Sequence, residues 1–94
     1  MITLLGGNHK GYDIRIDKNN TTIMRIEVKP FNEGYIPITS TEWEYAKKHG
    51  DKYCIYRIKR ITGQPPEIDI VENPYQMMLD GKLEIVPESL RIVN

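Results

Sequence analysis

Ninety-four residues are enough for one hydrophobic core and too few for two domains, so residues 1–94 are expected to form a single unit. Thirteen Lys and Arg balance thirteen Asp and Glu, which excludes a long-range pull toward nucleic acid or anionic membranes and leaves any such contact to a local patch. The lone Cys54 excludes an internal disulfide and fits a reducing, cytoplasmic (intracellular) setting, and no segment has the length and apolarity of a membrane span.

In chain order, Ile2 to Leu5 is a short apolar run ending at Gly6-Gly7, which suits an edge strand. Tyr12, Ile14 and Ile16 alternate with charged residues, as do Met24, Ile26 and Val28, so residues 11–29 predict an antiparallel hairpin of two half-buried strands. Pro30 cannot donate to a ladder and should end the second strand. Residues 36–39 suit a brief strand. Thr39 and Thr41 each precede a Glu by three residues, and these two overlapping capping boxes announce a helix at about 41–49, with Lys47, Lys48 and His49 in its last turn.

Residues 53–56 are apolar without alternation, as in the central strand of a sheet, and "EIDIV" returns as another strand. Asn73-Pro74 suits the cap and first position of a short helix at about 74–80, closed by Gly81. "KLEIV" and "LRIV", separated by Pro87, are two further short strands. The order of elements predicts an α+β or mixed α/β domain.

The hairpin's register decides what its charged face looks like. A two-residue Asn19-Asn20 turn pairs Lys18 with Thr21 and sets Asp13 against Ile26. A three-residue loop, Asn19-Asn20-Thr21, instead pairs Ile16 with Met24, Ile14 with Ile26 and Tyr12 with Val28, gathering all six apolar side chains on one face. Burial favours this second register. Asp13 then faces Glu27, and Arg15 faces Arg25. Opposed like charges destabilise a strand pair. Two accounts fit: a solvated face relieved by diagonal salt bridges, or a divalent cation such as Mg²⁺ bridging Asp13 and Glu27, with Lys29 beside it.

An aspartate on one strand followed by Glu-x-Lys on the next, here Asp13 and Glu27-Val28-Lys29, resembles the PD-(D/E)XK nuclease superfamily. "GYDI", "IEVK", "ITSTEWEYAKKHGDKYCIYRI" and the later "NP" occur in the order of a domain family named after the C-terminal region of the plant protein NO VEIN, which looks like a restriction-endonuclease-like branch of that superfamily. The similarity runs from about Gly11 to Pro74. The resemblance implies a central mixed sheet and a metal-dependent nuclease acting on nucleic acid, with DNA the expected substrate. Asp13 and Glu27 would be ligands of Mg²⁺ or Mn²⁺, with the Val28 carbonyl a further ligand. Lys29 would complete the catalytic set by orienting the attacking water and stabilising the transition state. Arg15, Arg25 and Lys10 would contact flanking phosphates, and Gly11 would leave room for the phosphate backbone.

The superfamily's usual N-terminal helix has no counterpart before Gly11, so the chain reads as a truncated or fragment form of the domain. An uncovered apolar sheet face is then expected, and with it a homodimer or a partner subunit. The second functional reading is a catalytically inactive module of the same fold that binds nucleic acid or protein. A third is a small structural or assembly domain. Among other residues, Trp43 and Ala46 suit helix-to-sheet packing, Glu42 suits capping or support of Lys29, and Cys54 suits a buried small hydrophobe. His9 suits a solvated loop or a phosphate contact. Lys47, Lys48, Lys52, Arg57, Lys59 and Arg60 are a basic patch only if the helix end and strand edge face the same way.

Overall fold

The computed structural model describes residues 1–4, 11–86 and 91–93. Period-two alternation produces β2 (Ile14–Lys18) and β3 (Thr21–Pro30), with the N-terminal run forming β1 (Ile2–Leu4) at the sheet edge. After β4 (Tyr35–Pro37) comes α1 (Ser40–His49), then β5 (Tyr53–Lys59), β6 (Glu67–Glu72), α2 (Pro74–Leu79), β7 (Glu84–Val86) and β8 (Arg91–Val93). The fold is the expected mixed α and β kind, with a five-stranded sheet ordered β1-β2-β3-β5-β6 and a small second sheet ordered β4-β8-β7.

Neighbours in the large sheet are antiparallel except β3 and β5, which run parallel. Parallel strands need a long crossover, and α1 supplies it. The unalternated apolar run at residues 53–56 predicts the central strand, but that place belongs to β3. The N-terminal hairpin and β1 add strands on one side of β3, whereas β5 and β6 add on the other. β5 is nonetheless buried from Tyr53 to Ile55: Tyr53 and Ile55 lie in the core with Ala46 of α1, and Cys54 is buried on the opposite face.

The hairpin combines the two registers that the sequence offers. Its turn is the two-residue Asn19-Asn20, both at positive φ (52° and 64°), with Lys18 paired to Thr21. This is the primed turn geometry that matches strand twist. A bulge between Ile16 and Asp17 then shifts the pairing by one, so that Ile16 meets Met24, Arg15 meets Arg25 and Ile14 meets Ile26. The expected three-residue loop is therefore corrected. The extra residue needed to bury the apolar set sits in the ladder rather than in the turn.

Tyr12 also departs from expectation. Gly11 adopts φ +100°, the chain leaves the ladder, and the Tyr12 ring packs 5.5 Å from Tyr45 of α1 instead of joining Ile14 and Ile16. α1 itself starts as its capping box predicts. The Thr39 hydroxyl accepts from the Glu42 N–H at 3.1 Å, and the Glu42 carboxylate accepts from the Thr39 N–H at 2.9 Å. Thr41, expected to head a second box, lies inside the helix. Asn73 caps α2 with Pro74 at its first position.

The core lies between the α1 side of the large sheet, the helices and the small sheet. Tyr53, Ile55, Ala46, Ile36 and Ile92 have no exposure. Trp43 packs partly buried against Tyr75 of α2, at 5.9 Å between ring centroids, and so serves packing as expected. Cys54 is buried.

Candidate functional site

The parallel register sets Arg25 beside Tyr53, Glu27 beside Ile55 and Lys29 beside Arg57, so β3 turns its charged residues toward the side covered by α1. Asp13 joins them from the neighbouring strand's start. Its N–H donates to the Ile26 carbonyl at 2.9 Å, while its carboxylate accepts the Val28 N–H at 2.8 Å. The Asp13 side chain thus stands in for a ladder acceptor at the point where Gly11 and Tyr12 turn away. The paired register ends at Ile14–Ile26, so the expected Asp13–Glu27 ladder pair is not formed: the main-chain bond of Asp13 goes to Ile26, and only its side-chain charge acts on Glu27.

Glu27 is 4% exposed, and no protein donor reaches its Oε2. Its nearest cation, the Lys29 Nζ, is 4.0 Å from Oε1. What faces it is a second carboxyl, that of Glu42 from the first turn of α1. Burial, the hydrogen bond with Glu42 and the charges of Glu42 and Asp13 push Glu27 up to about 9, so it holds a proton at neutral pH. Burial also acts to raise Glu42, but hydrogen bonds from Glu27, Lys29 and the Thr39 N–H outweigh it and hold Glu42 below the ordinary carboxylate range. The proton on Glu27 relieves the repulsion within this carboxyl pair, and a cation can take its place.

Lys29 donates to Glu42 at 2.8 Å. One carboxylate oxygen, Oε1 of Glu42, therefore holds both the catalytic-candidate lysine and the N-terminus of the helix. The sequence suggests this only obscurely, because a Glu three residues after a Thr is fully explained by capping. Burial pushes the Tyr53 phenol well above its usual range; it stays neutral and donates to the Gly11 carbonyl at 2.8 Å.

The remaining sequence candidates are dispersed. Gly11 does not leave space for a phosphate: a Cβ there would lie 2.3 Å from the Tyr45 ring, so the ring of α1 already fills that volume. Arg15 pairs with Asp17 at 3.0 Å, and Arg25 lies over the Tyr12 ring at 5.6 Å with its Nε unbonded. Lys10 and His9 lie outside the described residues. The basic residues do not make one patch, since Lys52 precedes the start of β5 and Lys59 ends it, and Arg57 is buried against Asp69 and Phe31. Val28 is positioned by the Asp13 contact to its N–H.

Among the described residues, no group of three or more His, Cys, Asp or Glu has metal-site geometry. The family described as "Protein NO VEIN, C-terminal" matches residues 5–71. The chain belongs to that family. No curated protein and no solved structure matches it. Within this NO VEIN C-terminal-type domain, the matched span contains Asp13, Glu27, Lys29 and Glu42, whereas α2 and the small sheet's β7 and β8 fall outside it. Among the described residues no helix is long and apolar enough to cross a membrane.

Proposed function

We propose that this domain is a divalent-metal-dependent nuclease of the PD-(D/E)XK kind, acting on phosphodiester bonds in nucleic acid, with DNA as the expected substrate. The observation that carries the reading is Glu27, a buried carboxyl with no donor at Oε2, set beside Asp13 and Lys29. A buried carboxyl that must keep a proton to avoid an uncompensated charge is one at which a cation can take the proton's part. Asp13, Glu27 and the Val28 carbonyl would hold Mg²⁺ or Mn²⁺.

Such a cation supplies Lewis acidity toward a phosphoryl oxygen and lowers the pKa of a bound water. The protein's own part is positional. The Val28 N–H fixes the Asp13 carboxylate, Glu42 fixes the Lys29 ammonium at 2.8 Å, and Lys29 offers positive charge where the phosphorane develops. Arg15 and Arg25, on the same sheet face, would meet flanking phosphates.

The inactive-module reading also has an observation behind it. Lys29 is closer to Glu42 (2.8 Å) than to Glu27 (4.0 Å), so its charge is spent on the helix, and the chain's zero net charge offers little to hold a polyanion. Calorimetric titration with Mg²⁺ and Mn²⁺ tests the metal site directly. Binding to the wild type that is lost in Asp13→Ala is the expected result, and no binding by either protein would overturn the proposal. Metal binding without cleavage of single- or double-stranded DNA or RNA would select the inactive module.

A further inference from the structure

Main-chain bonds fix which way each residue of β6 faces. The Asn73 N–H donates to the Tyr53 carbonyl at 3.1 Å, so antiparallel alternation makes Ile55–Val71, Arg57–Asp69 and Lys59–Glu67 the hydrogen-bonded pairs of β5 and β6. The Phe31 N–H donates to the Ile58 carbonyl on the other side of β5, as this alternation requires. The main-chain N–H and C=O groups of Ile68, Ile70 and Glu72 therefore point out of the sheet edge, where no strand among the described residues meets them.

Open edges are usually blunted by shortness, proline, lysine or a bulge. β1, at the opposite edge, has three residues. β6 has six, in unbroken register with β5 and with neither Pro nor Lys. Ile68 and Ile70, whose main chains face outward, are also the aliphatics it exposes, at 54% and 48%.

We propose that the β6 edge accepts an extended segment of a partner protein as a sixth strand, basic at both ends with aliphatic residues between. Main-chain geometry selects a strand, because a helix has already bonded its own N–H and C=O groups internally. Charge selects the ends. β6 carries three acids and no base. Arg57 holds the Asp69 carboxylate, but Glu67 and Glu72 stand exposed near the two ends with no ion pair among the described residues. Lys59, opposite Glu67, turns its ammonium over the Phe31 ring instead, 5.2 Å from the centroid. A second copy of β6 would add three further acids to this edge and no base, whereas Lys or Arg facing Glu67 and Glu72 is complementary. Ile68 and Ile70 then meet aliphatic side chains on one face of the added strand.

Nuclear magnetic resonance of the isotopically labelled chain, in EDTA and without nucleic acid, tests this independently of the nuclease reading. The probe is the capped hexapeptide Lys-Thr-Val-Thr-Val-Lys, which in antiparallel register sets Lys against Glu67 and Glu72 and Val against Ile68 and Ile70; the control peptide has Glu in place of both Lys. At saturating probe the amides of Ile68, Ile70 and Glu72 are expected to shift and to exchange about tenfold more slowly, with those of Glu67, Asp69 and Val71 unchanged and no response to the control. Ile70→Pro removes an outward N–H and no ladder bond, so it is expected to keep the circular dichroism spectrum and lose the response. Ile68→Pro is the second variant if the first fails to fold. No response of the three outward amides to the probe, an equal response to the control, or a response that survives whichever proline variant folds would overturn the proposal. A wild-type dimer in sedimentation that the proline variant abolishes would overturn it in favour of a second copy.

Discussion

The two faces of β3 invert the usual arrangement of an amphipathic strand. Toward α1 and the core it presents Arg25, Glu27 and Lys29, whereas Met24, Ile26 and Val28 lie on the opposite side, which no helix among the described residues covers. Solvation alone would not bury Glu27 while leaving Val28 exposed, because burying charge costs free energy and exposing an aliphatic forgoes a gain. The covered face tolerates its charges through particular partners: Glu42 for Lys29, the Val28 N–H for Asp13 and the Tyr12 ring for Arg25. The open face has no such specificity, only area. One face is therefore held by contacts at fixed atoms, and the other by the packing of its own aliphatics around the buried Ile26 and Cys54.

The comparison breaks most readily at Gly11, where α1 seats on the charged face. Alanine there must hold a positive φ and push its Cβ into the Tyr45 ring, and the two effects together are expected to cost about 2–5 kcal/mol of unfolding free energy. Urea unfolding followed by circular dichroism measures it. A loss under about 0.5 kcal/mol would mean that the helix does not seat on Gly11.

Glu27 gives the next effect, and its sign is fixed by linkage. Its carboxyl keeps a proton in the folded chain up to about pH 9 but loses it near 4.5 when unfolded, so the folded state binds more protons between those values and stability falls as pH rises. His49, whose pKa burial and nearby cations lower, acts oppositely only below about 6.5, and Cys54, raised to about 11 by burial, acts only above 9. From pH 7 to 9 the slope therefore belongs to Glu27, at up to about 1.4 kcal/mol per pH unit. Glu27→Gln is expected to flatten it. An equally steep decline in the variant would locate the titrating group elsewhere.

Sequence patterning carried the elements well where one physical demand dominated. Period-two alternation located the hairpin, the Thr39–Glu42 spacing located α1, and Asn73-Pro74 located α2. It failed where two demands met. Asn19-Asn20 satisfied turn chemistry and the apolar face demanded an odd register, and the bulge at Ile16/Asp17 met both at once. Gly11 was legible as a required glycine but not as one required by Tyr45, because that contact joins residues 34 positions apart. In the candidate site, Asp13, Glu27 and Lys29 were picked out by spacing together with the family resemblance; capping and support of Lys29 were both open to Glu42, and spacing could not show that one carboxylate oxygen serves both.

That double role gives the smallest and sharpest effect. Thr39→Ala removes the hydroxyl that accepts the Glu42 N–H, and loss of an N-cap costs about 1 kcal/mol. The Glu42 carboxylate, however, takes its second contact from the Thr39 main-chain N–H, which alanine retains. If the Lys29–Glu42 pair is held chiefly by that main-chain donor, Thr39→Ala lowers thermal stability by an amount consistent with a lost cap while the Glu27 pH slope from 7 to 9 stays as in the wild type. If the slope changes as well, the helix cap and the buried carboxyl pair are one cooperative unit, and the charged face depends on the first turn of α1 for its electrostatics as well as its cover.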